Sequence, residues 1–268
     1  LAFLEPIIYF NGQNSFEIHG IKLISLDSGF VESPAGGSKN IISEKSSYRD
    51  IPFYYRTELN VMQFKIVISP IEKVWTPTLR QNVFEWISTR TPKEFRTNDD
   101  YGKLCYCICT NELIVMQNAI GQGYVELEFT ATTPYWLSEK ITQTENCTTA
   151  SVEVPIVFEI FNYSNVLHSK FMNDCYYFPK MTIDLYGSNT GINLINTSDG
   201  NRAFTFTELS VGESLYIDND LYQIISSTDS PRINDFNKNW FRLVRGNNII
   251  QCTTPCTIQY TCQYPIYR

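Results

Sequence analysis

Eight cysteines are the residues with the most chemistry to offer, and their spacing decides what kind. Cys105, Cys107 and Cys109 fall at alternate positions of Leu-Cys-Tyr-Cys-Ile-Cys-Thr, so on a strand all three thiols share one face. Neighbouring thiols there would have Cα atoms about 6.5–7 Å apart and parallel Cβ vectors, at or past the limit for a disulfide. They read as buried thiols serving as small apolar side chains. Cys252 and Cys256 flank Thr-Thr-Pro, a turn spacing that brings them together or simply brackets a hairpin. With no CxxC pair and no nearby histidine to complete a four-ligand set, no zinc or other metal is expected.

The two histidines, His19 and His168, lie near no Ser or Cys in a nucleophile motif, so a histidine-dependent triad is not expected. Carboxylates are the next candidates. Asp218 and Asp220 flank a turn, Asp99 and Asp100 are adjacent, and Asp174 precedes Cys175-Tyr-Tyr-Phe178. Glycosidase carboxylates sit about 5–9.5 Å apart across a cleft, whereas adjacent turn aspartates are ordinarily solvated turn formers. Tyr135 and Trp136 have the rings to stack a sugar, but following Pro134 at a strand end they are expected to pack at a domain junction. Tyr176, Tyr177 and Phe178 make the best candidate surface aromatic patch. No phosphate loop, activated nucleophile or cofactor motif stands out, so catalytic residues: none, cofactors: none.

Charge narrows the partners. With 21 Lys+Arg against 28 Asp+Glu the formal net charge is −7, and no basic block supplies the footprint of a sequence-specific nucleic-acid binder. The longest apolar runs fall far short of the roughly 20 residues that a membrane helix needs, so no membrane partner is expected. Residues 1–10 hold neither a basic n-region nor a small-residue cleavage site, so no secretion signal is expected there. The Asn-X-Ser/Thr matches at Asn146, Asn162 and Asn196 then read as chance, and a reducing site of assembly fits the free thiols.

The elements that must position these residues are mostly strands. Aromatic and β-branched residues alternate with polar ones, and Gly, Asn, Asp and Pro punctuate the runs. Strands are expected at 7–10, 15–18, 61–68, 104–109, 114–116 and 123–131. One helix is expected at 78–87, where Leu79, Val83, Trp86 and Ile87 take helical offsets behind Trp75-Thr-Pro-Thr. The polar stretch 139–150 marks a boundary, giving domains 1–138 and 139–268. Beyond it strands are expected at 152–161, 180–186, 191–196, 203–209, 214–217, 223–226, 240–243, 248–252 and 257–262, the pattern of a two-sheet sandwich. The last strand either completes the sandwich or returns to the first domain. The long 27–54 segment, rich in Gly and Ser yet punctuated by apolar residues, reads as a functional loop or contact arm, with a flexible excursion of no role as the alternative.

Several strings, in order, resemble the distal tail proteins of long-tailed bacterial viruses. They are Phe10-Asn-Gly, the helix between Trp75 and Trp86, Ile108-Cys-Thr-Asn-Glu-Leu113, and Gly123-Tyr-Val-Glu-Leu-Glu-Phe-Thr-Ala131 leading into Thr133-Pro-Tyr-Trp136. In the second half they are Gly212-Glu-Ser-Leu-Tyr-Ile-Asp218, Gln223-Ile, and Trp240-Phe-Arg-Leu-Val-Arg-Gly-Asn247. One departure concerns the first loop, where the family often has a Pro-Gly-basic-acidic-Gly turn and this chain has Ser33-Pro-Ala-Gly-Gly37.

The resemblance implies a mostly β fold: an N-terminal split β-barrel-like domain with one α-helix and a long arm, plus a C-terminal galectin-like β-sandwich. It implies a non-enzymatic virion protein, assembled in the bacterial cytoplasm into a homo-oligomeric ring, a hexamer, around a channel for DNA. The implied partners are the tail-tube protein and the tail-tip hub protein, with tape-measure and receptor-binding proteins as further neighbours. Candidate oligomer contacts are Phe30 and Val31 in the long loop and Val61, Phe64, Ile66 and Ile68 along the following strand. The competing expectation is a lectin-like adhesion protein that binds host cell-wall glycan through the Tyr176–Phe178 patch.

Overall fold

The structure, a computed structural model, describes residues 7–25, 35–98, 102–147, 156–159, 176–186, 190–244, 247–252 and 254–266, with backbone alone at 156–159 and 247. Phe30, Val31, Asp99, Asp100, His168, Asp174 and Cys175 lie outside the described residues. The chain divides into two units, Leu1–Glu139 with Pro265–Arg268, and Lys140–Tyr264.

In the first unit the strands are β1 (Ile8–Phe10), β2 (Gln13–Asn14), β3 (Ile21–Ile24), β4 (Lys39–Glu44), β5 (Phe53–Leu59), β6 (Gln63–Pro70), β7 (Lys93–Thr97), β8 (Cys105–Cys109), β9 (Val115–Gln117), β10 (Gly123–Ala131) and β11 (Trp136–Leu137). An eight-stranded antiparallel sheet runs β2-β1-β7-β8-β10-β6-β3, with β9 also on β10. Its alternation is regular where one face is buried. Phe64, Ile66 and Ile68 of β6 and Val125, Leu127 and Phe129 of β10 all point to the core, and the register sets Phe64 opposite Phe129. The helix α1 (Pro77–Ile87) starts where the Thr76 hydroxyl accepts from the Leu79 N–H at 3.1 Å, with Pro77 in the first turn. It buries Val83, Trp86 and Ile87. Trp86 Nε1 donates to the Phe10 carbonyl at 2.9 Å and thereby ties the helix to β1.

Residues 15–18 form a turn rather than the expected strand, because the Asn14 side chain accepts from the Phe16 and Glu17 N–H groups at 2.8 and 3.1 Å. A local side-chain bond of this kind competes with the ladder.

The second unit holds β12 (Ile141–Cys147), β13 (Ile156–Glu159), β14 (Lys180–Leu185), β15 (Ile192–Asn196), β16 (Arg202–Phe206), β17 (Ser214–Asp218), β18 (Gln223–Ser226), β19 (Asn247–Cys252) and β20 (Cys256–Cys262). They make a five-stranded sheet, β12-β20-β14-β17-β18, and a four-stranded one, β13-β19-β15-β16. One core joins the two, with Met181, Ile183, Leu215, Ile217 and Ile258 from the first sheet and Leu194, Phe204, Phe206 and Ile250 from the second. This is a sandwich. β21 (Pro265–Ile266) pairs with β11, so the chain returns to the first unit at its described end.

Two segments differ from the expected placement of strands. The polar stretch 139–150 contains β12, which pairs with β20 along all of its residues. Its Thr and Gln side chains suit an edge strand with a wet face. Residues 240–243 make only an isolated bridge, Tyr177 to Leu243. Side chains claim that backbone instead: Phe241 N–H donates to Asn219 Oδ1 at 2.9 Å, and the Arg242 carbonyl accepts from Asn196 at 3.1 Å.

Candidate functional site

The segment expected as a long loop carries a two-stranded ribbon. β4 and β5 pair with each other alone, from Lys39 opposite Leu59 to Glu44 opposite Phe53, with a bulge between Ile42 and Ser43. Every residue of both strands is exposed. The apolar side chains are conspicuous for that position: Ile41 is 68% exposed, Tyr54 63%, Tyr55 59% and Tyr48 in the connecting turn 100%. The ribbon's root is firm. Gly37 N–H donates to the Pro134 carbonyl at 2.6 Å and Asn60 N–H to the Ser38 carbonyl at 2.9 Å, while the Asn60 side chain donates to the Ser38 hydroxyl at 2.9 Å. A two-stranded hairpin is marginal in water, and its outer edges present unpaired backbone groups.

The β6 contact candidates fall differently. Val61 is exposed, but Phe64, Ile66 and Ile68 are buried in the core of the first unit, and a side chain in that core does not meet a partner. The strand's other face carries Gln63, Lys65, Val67 and Ser69. Trp136 also packs inside the first unit, within 6.1 Å of the Phe64 ring and 6.4 Å of the Phe95 ring.

The aromatic trio diverges. Tyr176 is exposed, but the Arg242 guanidinium lies 3.5 Å over its ring, held there by Asp199 through bonds of 2.7 and 3.1 Å. Tyr177 packs on the sandwich core, meets Tyr264 edge-on at 5.3 Å, and its hydroxyl accepts from Gln263 N–H at 2.7 Å. Phe178 turns toward Tyr222. Among the carboxylates, Asp218 is a turn former: its Oδ1 accepts from the N–H groups of Asp220 and Leu221, and Lys180 sits 2.7 Å from Oδ2. Burial pushes its pKa up, but Lys180 and these N–H groups outweigh that and hold it below the usual value. A carboxylate held this way is a poor general acid. The Asn196 sequon is equally engaged, with its amide buried and donating to Arg242 and Asn248.

Six of the seven described thiols fall into two groups, and Cys262, buried in the second unit, belongs to neither. Cys105 and Cys107 are buried on one face of β8 and Cys109 is half-buried, so they act as small apolar side chains. Burial pushes the Cys107 thiol well up. In the second unit Cys147, Cys252 and Cys256 are all buried, and their Sγ atoms lie within 4.8 Å of one another. Bonds from Cys252 and Cys256 lower the pKa of Cys147, while the same contacts and burial raise that of Cys256. The spacing of Cys252 and Cys256 left their meeting open. Nothing local announces Cys147, more than a hundred residues away, because strand pairing across the sheet delivers it. The ribbon did leave a signal: Ile41-Ile42 and Phe53-Tyr-Tyr55 are strand formers on either side of a polar turn.

No curated protein sequence matches the chain. Its fold is shared with the SPP1 Dit protein (gp 19.1), described as a paradigm of the hub adsorption apparatus in phages that infect Gram-positive hosts, at a TM-score of 0.68 and 11% identity over 97% of this chain and 99% of that one. It is similar also to a chain of the phage P2 baseplate in its activated conformation with calcium, at a TM-score of 0.51 and 9% identity over 97% and 98% of the two chains. Residues 8–133 match the family described as phage tail protein N-terminal domain, and residues 143–262 match the companion phage tail C-terminal domain. The two matches together span nearly all of both units, and the chain belongs to this family of phage tail proteins, with a Dit-type fold.

Proposed function

We propose that the protein works by assembly: six copies close into a ring at the distal end of a tail tube, joining the tube protein to the tail-tip hub and its adhesion apparatus around a channel for DNA. The observation that carries this reading is the exposed β4–β5 ribbon. Its apolar side chains and open backbone edges are satisfied when it lies on a neighbouring copy of the chain, and repetition of one such contact closes a ring. A net charge of −7 suits a conduit whose walls should not hold DNA. The relatives' association with hub and baseplate assemblies supports a place in the virion, with assembly in the host cytoplasm, and a non-enzymatic role. The second unit would serve as a galectin-like peripheral module in that ring.

The lectin reading draws no support from the aromatic trio, since Arg242 covers a face of Tyr176 and Tyr177 packs on the core.

The test is the mass and symmetry of the purified full-length protein by light scattering and negative-stain imaging. A six-fold annulus of six 31.0 kDa chains is expected, with Ile41→Asp combined with Leu59→Asp giving folded monomers. Wild-type protein that stays monomeric at high concentration overturns the reading.

A further inference from the structure

The three thiols of the second unit come from both of its sheets. Cys147 ends β12 and stands opposite Cys256, the first residue of β20, in the five-stranded sheet. Cys252 ends β19 in the four-stranded sheet. β19 ends in one sheet and β20 begins in the other, and there Cys252 Sγ and Cys256 Sγ are 3.6 Å apart. Cys252 Sγ also lies 3.1 Å from the Thr254 carbonyl oxygen. Three sulfurs bound to one tetrahedral ion at about 2.3 Å would be separated by about 3.8 Å. The spacing found here, from 3.6 Å to no more than 4.8 Å, is close to that requirement without movement of the strands.

We propose that Cys147, Cys252 and Cys256 form a structural thiolate site for a soft, redox-inert divalent ion, zinc in the first instance, which clips the two sheets of the sandwich together at the β19–β20 turn. Three donors converging from three strands on one point are the arrangement a metal uses. A disulfide uses only two sulfurs and would leave the third beside it unengaged. Binding displaces the three thiol protons and leaves a site of net charge −1, with the fourth position taken by an oxygen ligand. The clip would cross-link residues more than a hundred positions apart and hold together a sandwich whose first strand, β12, lies at a sheet edge. Burial of all three sulfurs keeps them from bulk solvent, which suits a structural role.

The experiment uses the full-length protein, produced in zinc-supplemented medium and purified under a non-chelating reductant. One zinc per chain is expected by elemental analysis, and cobalt exchange should give an intense thiolate-to-cobalt charge-transfer band. Cys147→Ala and Cys256→Ala should each lose the metal and the band, with affinity down by more than about a hundred-fold, the upper end of what an outer-shell change alone costs. Cys109→Ala, in the first unit, should keep both. Chelation should lower the melting temperature of the wild type and leave that of Cys147→Ala where it was. Should the cysteine variants fail to fold, X-ray absorption at the zinc edge of the wild type decides: three sulfur neighbours support the site, and a shell of nitrogen and oxygen alone overturns it. Wild-type protein that takes up neither zinc nor cobalt, or that shows a bridged cysteine pair by mass spectrometry in most chains, overturns it too.

Discussion

Glu213 and Arg232 meet through two parallel bonds, Nε to Oε1 at 2.8 Å and Nη2 to Oε2 at 2.7 Å, with the carboxylate side chain entirely buried. Ser226 Oγ and the Ser210 N–H supply further donors to the same carboxylate. The pair secures the Gly212-Glu213 turn that feeds β17, which makes a charged group part of the sandwich interior. Arg232→Leu would leave the carboxylate buried without its cation. The expected cost is about 3–5 kcal/mol, read as a fall in the urea midpoint of the second unit.

The same carboxylate predicts acid sensitivity with a definite sign. Burial raises the Glu213 pKa, but Arg232, Ser226 and the Ser210 N–H lower it by more, so it sits below its ordinary value of 4.5. Asp218 is also held below its ordinary value of 3.8. A group whose folded pKa is depressed contributes its full stability above the unfolded value and loses it as pH falls through the folded one. Melting temperature should therefore hold above about pH 5 and drop steeply below pH 4.5. The gap between wild type and Glu213→Gln should narrow as the solution is acidified. A gap that stays constant down to pH 2 would show that the ionised carboxylate is not what matters.

In the first unit the helix depends on one indole. Trp86 donates to the Phe10 carbonyl, meets the Phe10 ring edge-on at 6.0 Å and stacks on His19 at 4.2 Å. Trp86→Phe keeps a ring but removes the indole donor from a carbonyl that stays paired with Gln13 across the β1–β2 turn, for an expected cost of about 0.5–1.5 kcal/mol. Trp86→Ala removes the ring as well, for about 3–5 kcal/mol. Chemical denaturation of the two variants separates the hydrogen bond from the packing.

Trp86 also shows what the amino-acid order makes legible. Its offset from Val83 and Leu79 marked the helix, and the alternation through Phe64, Ile66 and Ile68 marked β6, because a buried face imposes a period on the chain. The same alternation misled the choice of contact residues: the apolar row that signals a strand is the row the core consumes. Asn14 and Asn219 hid two departures, a turn and an irregular segment, because a side chain that bonds to backbone leaves no trace in hydrophobic pattern. Cys147 was invisible as a neighbour of Cys252 and Cys256, since its place follows from the β12–β20 register and from the packing of one sheet on the other.

The root of the exposed ribbon yields a prediction that separates assembly from folding. A Cβ on Gly37 would stand 1.9 Å from the Asn60 carbonyl oxygen and 3.1 Å from Pro134 Cβ, and no rotamer change relieves a clash with main chain. Gly37→Ala must therefore break the bonds that join Gly37 to Pro134 and Ser38 to Asn60, and the β4–β5 ribbon swings from its set direction. The core of the first unit draws on no residue of β4 or β5, so its melting temperature should change little. Proteolysis within residues 39–59 should quicken and the yield of rings should fall. If rings form at wild-type yield while the ribbon is cut faster, its direction is not what joins the copies, and the contact must be sought on the outer face of β6 instead.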